Sequence, residues 1–336
     1  MALRLSVLDL VPVVSGGSSA TALRASEELA VAVDRAGYSR LWYAEHHNMP
    51  GIGATTPELL IAHMAPRTSR IRLGAGGVML PNHAPLAVAE SYRLLEAMHP
   101  GRIDLGLGRA PGTDQLTAYA LRRTQKGGVD DFLALLGELM SFDDGEWPAD
   151  HPFRAIRAMP DDVRLPPVWL LGSSDYSARL AAKLGLGFAF AGHFSMDPPD
   201  EALRLYRDGF QKDVSLPDPQ AMLALSVFCA DTEEEARRMA ASMMLSFAQL
   251  RTGKPGRLAS PDEALSHAYT TEERVVVETY RRLQIVGTPQ MVKARIEEIA
   301  KRTRADEIMI ATHAWDPAAR IRSFELVGEA FGLSRA

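Results

Sequence analysis

The sequence predicts an α/β fold, a (β/α)8 TIM barrel with insertions after strands 4 and 7. Three observations support it: eight short, largely apolar segments indicate strands, helix-like segments separate them, and no change of composition divides the 336 residues. Strands buried on both faces are typically apolar throughout, and strands that alternate with helices form parallel sheets. We therefore expect one domain over residues 1–336. A doubly wound open sheet is the alternative, because eight strands alone do not prove closure.

The strands and the outermost helices follow from local patterns. In the first helix, apolar residues keep helical spacing from Ala22 to Ala36, and Gly37 follows where a C-terminal cap belongs. The last helix begins at Asp316-Pro317, a capping residue followed by proline, and ends near Gly332. The predicted strands are residues 3–10, 39–44, 71–75, 103–107, 168–171, 187–191, 222–230 and 307–311.

Two stretches are longer than ordinary connections. Residues 110–166 follow the fourth strand, and we expect a helix around residues 128–140. Residues 250–286 follow the seventh strand, and their first part contains Gly253, Pro255 and Gly256 without helical periodicity. A long irregular loop on the catalytic face of a barrel is a candidate lid, so we expect residues 250–271 to be mobile without ligand. An ordinary surface loop is the alternative.

Composition excludes several classes of protein. A net charge of -5, with basic residues spread along the chain, gives no basis for nucleic-acid binding. The single Cys229 excludes an intramolecular disulfide and a cysteine-based zinc site. No apolar stretch has membrane-spanning length, and the first residues lack a signal-peptide pattern. We expect a cytoplasmic protein without a metal.

The segment Glu45-His46-His47 lies at the end of the second predicted strand. Because neighbouring strand residues face opposite ways, the two histidines are not expected to bind one metal. A histidine at the carboxyl end of a barrel strand suits general acid–base catalysis near neutral pH. A structural histidine is the alternative.

Glycines and small polar residues end three further strands. The pair Gly76-Gly77 indicates a ligand close to the backbone or a strained peptide, with a tight turn as the alternative. The segment that ends in Gly108-Arg109 lacks the spacing of a dinucleotide loop, but Arg109 could hold a phosphate. Residues 172–177, GSSDYS, begin a helix, whose N-terminus could bind an anion. Simple capping is the alternative, and we expect Asp175 to point away.

Three motifs together resemble the bacterial luciferase-like monooxygenases, which are flavin-dependent barrel oxidoreductases. The similarity covers nearly the whole chain and is closest to single-component members that do not emit light. The motifs are AEHH at residues 44–47, GVMLPNHAP at 77–85 and HPGRIDLGLGRAPGTD at 99–114.

The resemblance implies that reduced FMN binds at the C-terminal face of the barrel. It implies His46 as the catalytic histidine, Glu45 as the carboxylate beneath the flavin, and a cis peptide at Gly76–Gly77. Gly108 stands where the light-emitting subunit has cysteine, which argues against a luciferase and is expected to leave room above the ring. The implied cofactor-binding residues are Gly76, Gly77, Gly108, Arg109, Gly172, Ser173, Ser174 and Ser177.

The implied reaction forms a C4a-peroxyflavin from reduced FMN and O₂ and oxidises a small organic substrate. An NAD(P)H-dependent flavin reductase would supply the reduced FMN. We also expect a homodimer built on helices at residues 57–65 and 85–98, with His47 near that interface rather than in the pocket. The alternatives are a deazaflavin-dependent hydride-transfer enzyme and a non-catalytic flavin-binding paralogue.

Overall fold

The strands and helices alternate along the chain in the computed structural model, which describes residues 3–122, 129–212 and 216–333. The strands are β1 Arg4–Asp9, β2 Arg40–Tyr43, β3 Arg72–Ala75, β4 Val78–Met79, β5 Ile103–Gly108, β6 Val168–Gly172, β7 Gly187–Phe190, β8 Ala221–Cys229, β9 Gln284–Gly287 and β10 Glu307–Ala311. The α-helices are α1 Ser19–Ala36, α2 Pro57–Met64, α3 Pro85–Met98, α4 Gln115–Arg122, α5 Val129–Asp144, α6 Asp175–Lys183, α7 Pro199–Asp208, α8 Glu233–Arg251, α9 Pro261–Ser266, α10 Thr271–Arg281, α11 Pro289–Thr303 and α12 Pro317–Phe331.

Eight parallel strands close into a barrel in the order β1, β2, β3, β5, β6, β7, β8 and β10. Closure is visible at β10, which pairs with β8 on one side and with β1 on the other. These eight are the strands that the sequence predicts, so the barrel is confirmed and the open sheet is excluded. The sequence did not indicate β4, which pairs with β5, or β9, which pairs with β8.

The side chains that fill the barrel interior differ in charge and size along its axis. At the N-terminal end, buried Arg40 lies 2.7 Å from a carboxylate oxygen of Asp104 and 3.0 Å from one of Glu307. Next come large side chains, with the Trp42 and Trp169 rings in edge contact at 5.6 Å. The same interior cluster contains four alanines, and Leu10 and Leu171 pack against it. The alanines are Ala44, Ala189, Ala224 and Ala311.

The predicted ends of the first and last helices are confirmed. Ser18 caps α1 through a capping box, and Gly37 ends it with φ 87°, a left-handed conformation that glycine adopts without steric cost. The Asp316 side chain accepts a hydrogen bond from the Ala318 backbone, and Gly332 ends α12. Within the described ranges, no helix is long and apolar enough to cross a membrane.

The two insertions are more regular than the sequence suggested. The helix expected near residues 128–140 is α5, although Gly128 lies outside the described residues. The second insertion is irregular only in part, because capping boxes at Ser260 and Thr270 begin α9 and α10. Residues 252–260 are irregular as expected, but Leu258 pairs with the loop after β1, accepting from Ser15 N at 2.8 Å and donating to Val13 O at 3.0 Å. Mobility of this segment stays a prediction.

The apolar residues of α2 and α3 divide between core and surface. Leu60, Ile61, Val88 and Leu95 are buried in the core and leave no surface for a partner. The exposed apolar side chains are Leu59, Leu94 and Met98, which are 68%, 53% and 50% exposed. The homodimer expected on these two helices stays a prediction.

Candidate active site

Three histidines follow strands at the C-terminal end of the barrel. His46 comes two residues after Ala44 of the interior cluster, and His313 comes two residues after Ala311. His193 follows β7, four residues after Ala189. Charge on His46 lowers the pKa of both other histidines, in each case together with the larger effect of burial. The three rings therefore lie around one end of the barrel.

His46 has a defined tautomer. Its Nδ1 lies 3.0 Å from the carbonyl oxygen of Gly112. A carbonyl can only accept, so Nδ1 carries the hydrogen. Burial lowers the pKa of His46, outweighing the hydrogen bond to Gly112 and the charge of Glu45. At neutral pH the ring is therefore neutral, and its Nε2 presents a lone pair that no described residue engages.

Glu45 is a buried carboxylate surrounded by hydrogen-bond donors. His83 Nε2 lies 2.9 and 3.0 Å from its two oxygens, and the backbone N of Met79 donates at 2.9 Å. Asn82 donates at 3.2 Å, and His47 Nε2 lies 3.0 Å away. Burial favours the neutral acid, but these contacts outweigh it and lower the pKa of Glu45. The ionised side chain thus joins the end of β2 to the segment after β3.

His47 lies against Glu45, with its Nε2 3.0 Å from a carboxylate oxygen. This is the side of the chain that alternation assigns to it, because residues 45 and 47 are two positions apart. The expectation that His47 lies near a dimer interface rather than in the pocket stays a prediction. Among the described residues, no group of three or more His, Cys, Asp or Glu side chains could hold a metal ion.

The Gly76–Gly77 peptide is cis, as expected. Both glycines are needed for close packing. A Cβ on Gly76 would lie 2.9 Å from Leu8 Cδ1, and a Cβ on Gly77 would lie 2.7 Å from the carbonyl oxygen of Gly106. The backbone N of Gly76 also donates to Tyr43 O at 2.7 Å. The turn is therefore fixed against β2 and β5.

Met79 lies directly beside Gly108, and the expectation that Gly108 leaves room above a bound ring stays a prediction. A Cβ at Gly108 would lie 2.6 Å from Met79 Sδ, so the thioether of Met79 occupies this space. The contact joins residues 29 positions apart across the β4–β5 pair, which pairs Met79 with Gly108. No local pattern in the sequence indicates it.

The turn into α6 and Arg109 form a single cationic corner. The Arg109 guanidinium carbon lies 4.7 Å from the centre of the Tyr176 ring, and no described carboxylate pairs with it. Ser174 is the residue before α6, yet its side chain makes no capping hydrogen bond. Asp175 is mostly exposed and pairs with Arg179 at 3.6 Å, so it points away as expected.

Gly172 and Ser173 hold this corner in place through close packing and a hydrogen bond to the backbone. A Cβ on Gly172 would lie 2.4 Å from Ser177 Cβ, so glycine allows the buried Ser177 to approach. The carbonyl of Ser173 accepts from Ser195 Oγ at 3.2 Å, which links the corner to the loop after β7. An uncommitted arginine, a free hydroxyl and a helix N-terminus are the donors that a phosphate requires.

Several site residues were missed. Met79, Asn82 and His83 lie within a motif quoted for the resemblance, but no role was assigned to them. His193 and His313 belong to no motif. Their positions in the sequence could have indicated them, because each follows a strand and lies an even number of residues after an alanine of the interior cluster.

The Glu45–His83 pair predicts a pH dependence of stability. Burial opposes protonation of His83, but the hydrogen bond and charge of Glu45 outweigh it and raise its pKa above 6.5. The stabilisation from His83 is therefore complete below pH 6.5 and lost as the pH rises through the raised pKa. Glu45, with its pKa below 4.5, loses its contribution as the pH falls through that lowered value. The pair should stabilise the protein most between pH 4.5 and 6.5.

Urea unfolding of the parent and of His83→Gln at about pH 6 and about pH 8.5 tests this dependence. The loss of unfolding free energy should be larger at the lower pH. His99→Gln is the control, because burial lowers the pKa of His99 and the sign of its pH dependence is opposite. An equal loss at both pH values would contradict an ionised pair.

The comparisons with known proteins agree with this geometry. A family model described as luciferase-like monooxygenase matches residues 3–307. A luciferase-like monooxygenase of Escherichia coli strain K12 is 43% identical over 321 residues, covering 96% of this chain and 95% of that protein. The N-acetyl-S-alkylcysteine monooxygenase of Bacillus subtilis strain 168 is 34% identical over 331 residues and covers 98% of each.

Solved structures share the barrel. Apo-MsnO8 has a TM-score of 0.88 at 34% identity, over 99% of both chains. The oxygenating constituent of 3,6-diketocamphane monooxygenase from Pseudomonas putida, in complex with FMN, has a TM-score of 0.73 at 21% identity, over 98% of this chain and 97% of that one. An F420-dependent secondary alcohol dehydrogenase has a TM-score of 0.72 at 13% identity, over 98% and 99%, and like the previous structure shows the fold alone. On the family match and the full-length relatives, the chain belongs to the luciferase-like monooxygenase family.

Proposed function

We propose that this protein is an FMN-dependent monooxygenase that uses reduced FMN and O₂ to oxidise a small organic substrate. The observation that carries the proposal is the corner of Arg109, Ser174 and the N-terminus of α6, whose donors are uncommitted. It lies at the same end of the barrel as His46. The FMN complex of a protein with this fold and the monooxygenase names of the relatives support it.

The residues present fit an FMN molecule. Arg109, Ser173, Ser174 and Ser177 would hold its phosphate with the first backbone N–H groups of α6. The backbone at Gly76, Gly77, Gly108 and Gly172 would lie along the rest of the cofactor. Bound in its reduced form, FMN would supply the electrons that activate O₂ for transfer of one oxygen atom.

His46 would accept or return a proton at Nε2. Its hydrogen bond to Gly112 keeps the hydrogen on Nδ1, and burial keeps the ring neutral, so the lone pair on Nε2 is available near neutral pH. Glu45 would act differently. Its carboxylate is already engaged by His47, Asn82, His83 and Met79, so we assign it the positioning of the segments around His46 rather than proton transfer.

Hydride transfer with a deazaflavin is the second candidate, because an F420-dependent dehydrogenase shares the fold. The two functions differ in their need for oxygen. The protein would be assayed with FMN, NAD(P)H, a flavin reductase and ¹⁸O₂, using N-acetyl-S-methylcysteine as first substrate because a relative acts on that class. Incorporation of ¹⁸O supports the monooxygenase, whereas anaerobic oxidation of reduced F420 coupled to reduction of a ketone to its alcohol would establish the alternative.

Arg109→Ala should weaken FMN binding while the fold stays intact. A hydrogen bond to a charged group contributes about 1.5–3 kcal/mol, which corresponds to a dissociation constant raised roughly 10- to 100-fold. Flavin fluorescence titration measures this change. Arg179→Ala is the matched control, because Arg179 lies on α6 and pairs with exposed Asp175 outside the corner. Unchanged affinity in Arg109→Ala would refute the phosphate assignment.

His46→Ala should keep FMN binding and lose most turnover. Removing a general acid or base typically costs about 10²–10⁴-fold in rate. Steady-state oxidation of the substrate, with FMN affinity measured in parallel, separates the two effects. A variant that turns over at the parent rate would show that His46 is structural.

We also propose a homodimer formed through Leu59 of α2 and Leu94 and Met98 of α3, which are exposed. Light scattering should give about twice 36.7 kDa. Leu59→Asp combined with Leu94→Asp should yield a monomer, since a charge at the centre of an apolar interface is strongly unfavourable. Leu184→Asp, at an exposed leucine outside the patch, is the control. A parent protein of monomer mass would contradict the proposal.

A further inference from the structure

Two buried ring nitrogens in the active site have no partner. They are Nδ1 of His193 and Nδ1 of His313, and no described residue forms a hydrogen bond with either. Buried polar atoms are nearly always paired, so such an atom calls for an explanation. Neither histidine has a part in the corner for the phosphate or in the contacts of Glu45.

Both histidines lie in segments that the fold anchors. The carbonyl of Thr312, next to His313, accepts from Arg320 Nε at 2.7 Å, and Arg320 pairs with buried Asp9 at 2.8 Å. The loop that carries His193 is anchored by Ser195, whose hydroxyl donates to Ser173. His313 itself is only 6% exposed. The backbone therefore presents both histidines at defined positions of the site.

The unpartnered atoms indicate the tautomer of each ring. A buried N–H without an acceptor is rarer and costlier than an unpaired lone pair, so the hydrogen belongs on Nε2 rather than on Nδ1. Nε2 of each ring is not among the buried unpartnered atoms and has no partner among the described residues. Burial lowers the pKa of His193 to about 4 and, together with the charge of Arg320, that of His313 to about 3, so both rings are neutral near pH 7.

We propose that His193 and His313 anchor the organic substrate, each by donating its Nε2–H group to an sp² oxygen of a carboxylate or an acyl group. His46, at the same end of the barrel, instead offers an acceptor, its unprotonated Nε2. The inference deepens the proposed function by naming the substrate class. A carboxylate should bind better than a neutral carbonyl, because hydrogen bonds to charged acceptors are roughly twice as strong.

The test measures binding of three six-carbon probes by calorimetry, with and without FMN. The probes are hexanoate, hexanamide and hexylammonium, which share a chain and differ in the head group. We expect hexanoate to bind most tightly, hexanamide more weakly and hexylammonium undetectably. His193→Phe and His313→Phe should each weaken hexanoate binding about 10-fold or more, the loss of one charge-assisted hydrogen bond. The corresponding Gln variants, which keep an N–H donor, should retain most of the affinity.

His63→Phe on the exposed face of α2 is the control and should bind hexanoate as the parent does. Hexanoate affinity unchanged in both Phe variants, or equal affinity for hexylammonium, would overturn the proposal. A parallel loss of FMN affinity would also overturn it, since the rings would then contact the cofactor. If one Phe variant fails to fold, the proposal is judged on two other results. These are the order in which the parent binds the three probes and the hexanoate affinity of the Gln variants. Absence of FMN binding would refute the proposed function, while the FMN-free measurements would still test the anchor.

Discussion

The geometry of the site depends on the hydrogen bonds that the Glu45 carboxylate accepts. It leaves the end of β2 and accepts hydrogen bonds from the backbone of β4 and from two side chains of the turn that follows. A buried carboxylate without these donors would be strongly unfavourable, so the donors and the carboxylate require each other. His46 is the next residue along the chain. Its position therefore depends on the same contacts that hold the cis Gly76–Gly77 segment against β5.

Buried charges at the N-terminal end of the barrel are also paired within the protein, but there they belong to the core and not to the site. Arg40 bridges Asp104 and Glu307, and Trp42 Nε1 donates to Asp104 at 3.1 Å. These charges are satisfied within the protein, whereas Arg109 and the nitrogens of His193 and His313 are not. The contrast separates ion pairs within the fold from the polar groups that we propose for ligand binding.

Local patterns predicted the parts of this protein that local forces determine. The eight barrel strands, the capped ends of α1 and α12, and the outward direction of Asp175 all follow from short stretches of sequence. The helices α9 and α10 also had local signals, since Ser260 and Thr270 each precede a glutamate by three residues. Those signals were outweighed by the neighbouring glycines and proline.

Contacts between distant segments were beyond such reasoning. Nothing near Gly108 indicates that Met79 fills the adjacent space, because the contact exists only once β4 pairs with β5. The roles of His193 and His313 depend on which atoms the closed barrel leaves unpaired, and a one-dimensional pattern does not contain that information.

The ring of alanines at the C-terminal end of the interior bears on how this barrel can diversify. Ala189, Ala224 and Ala311 lie in three different strands, and Ala44 directly follows a fourth, β2. We expect a larger apolar residue at one of these positions to fill part of the space at this end of the interior while the ladder stays in place. Such substitutions would alter which molecules fit the barrel without altering the barrel itself.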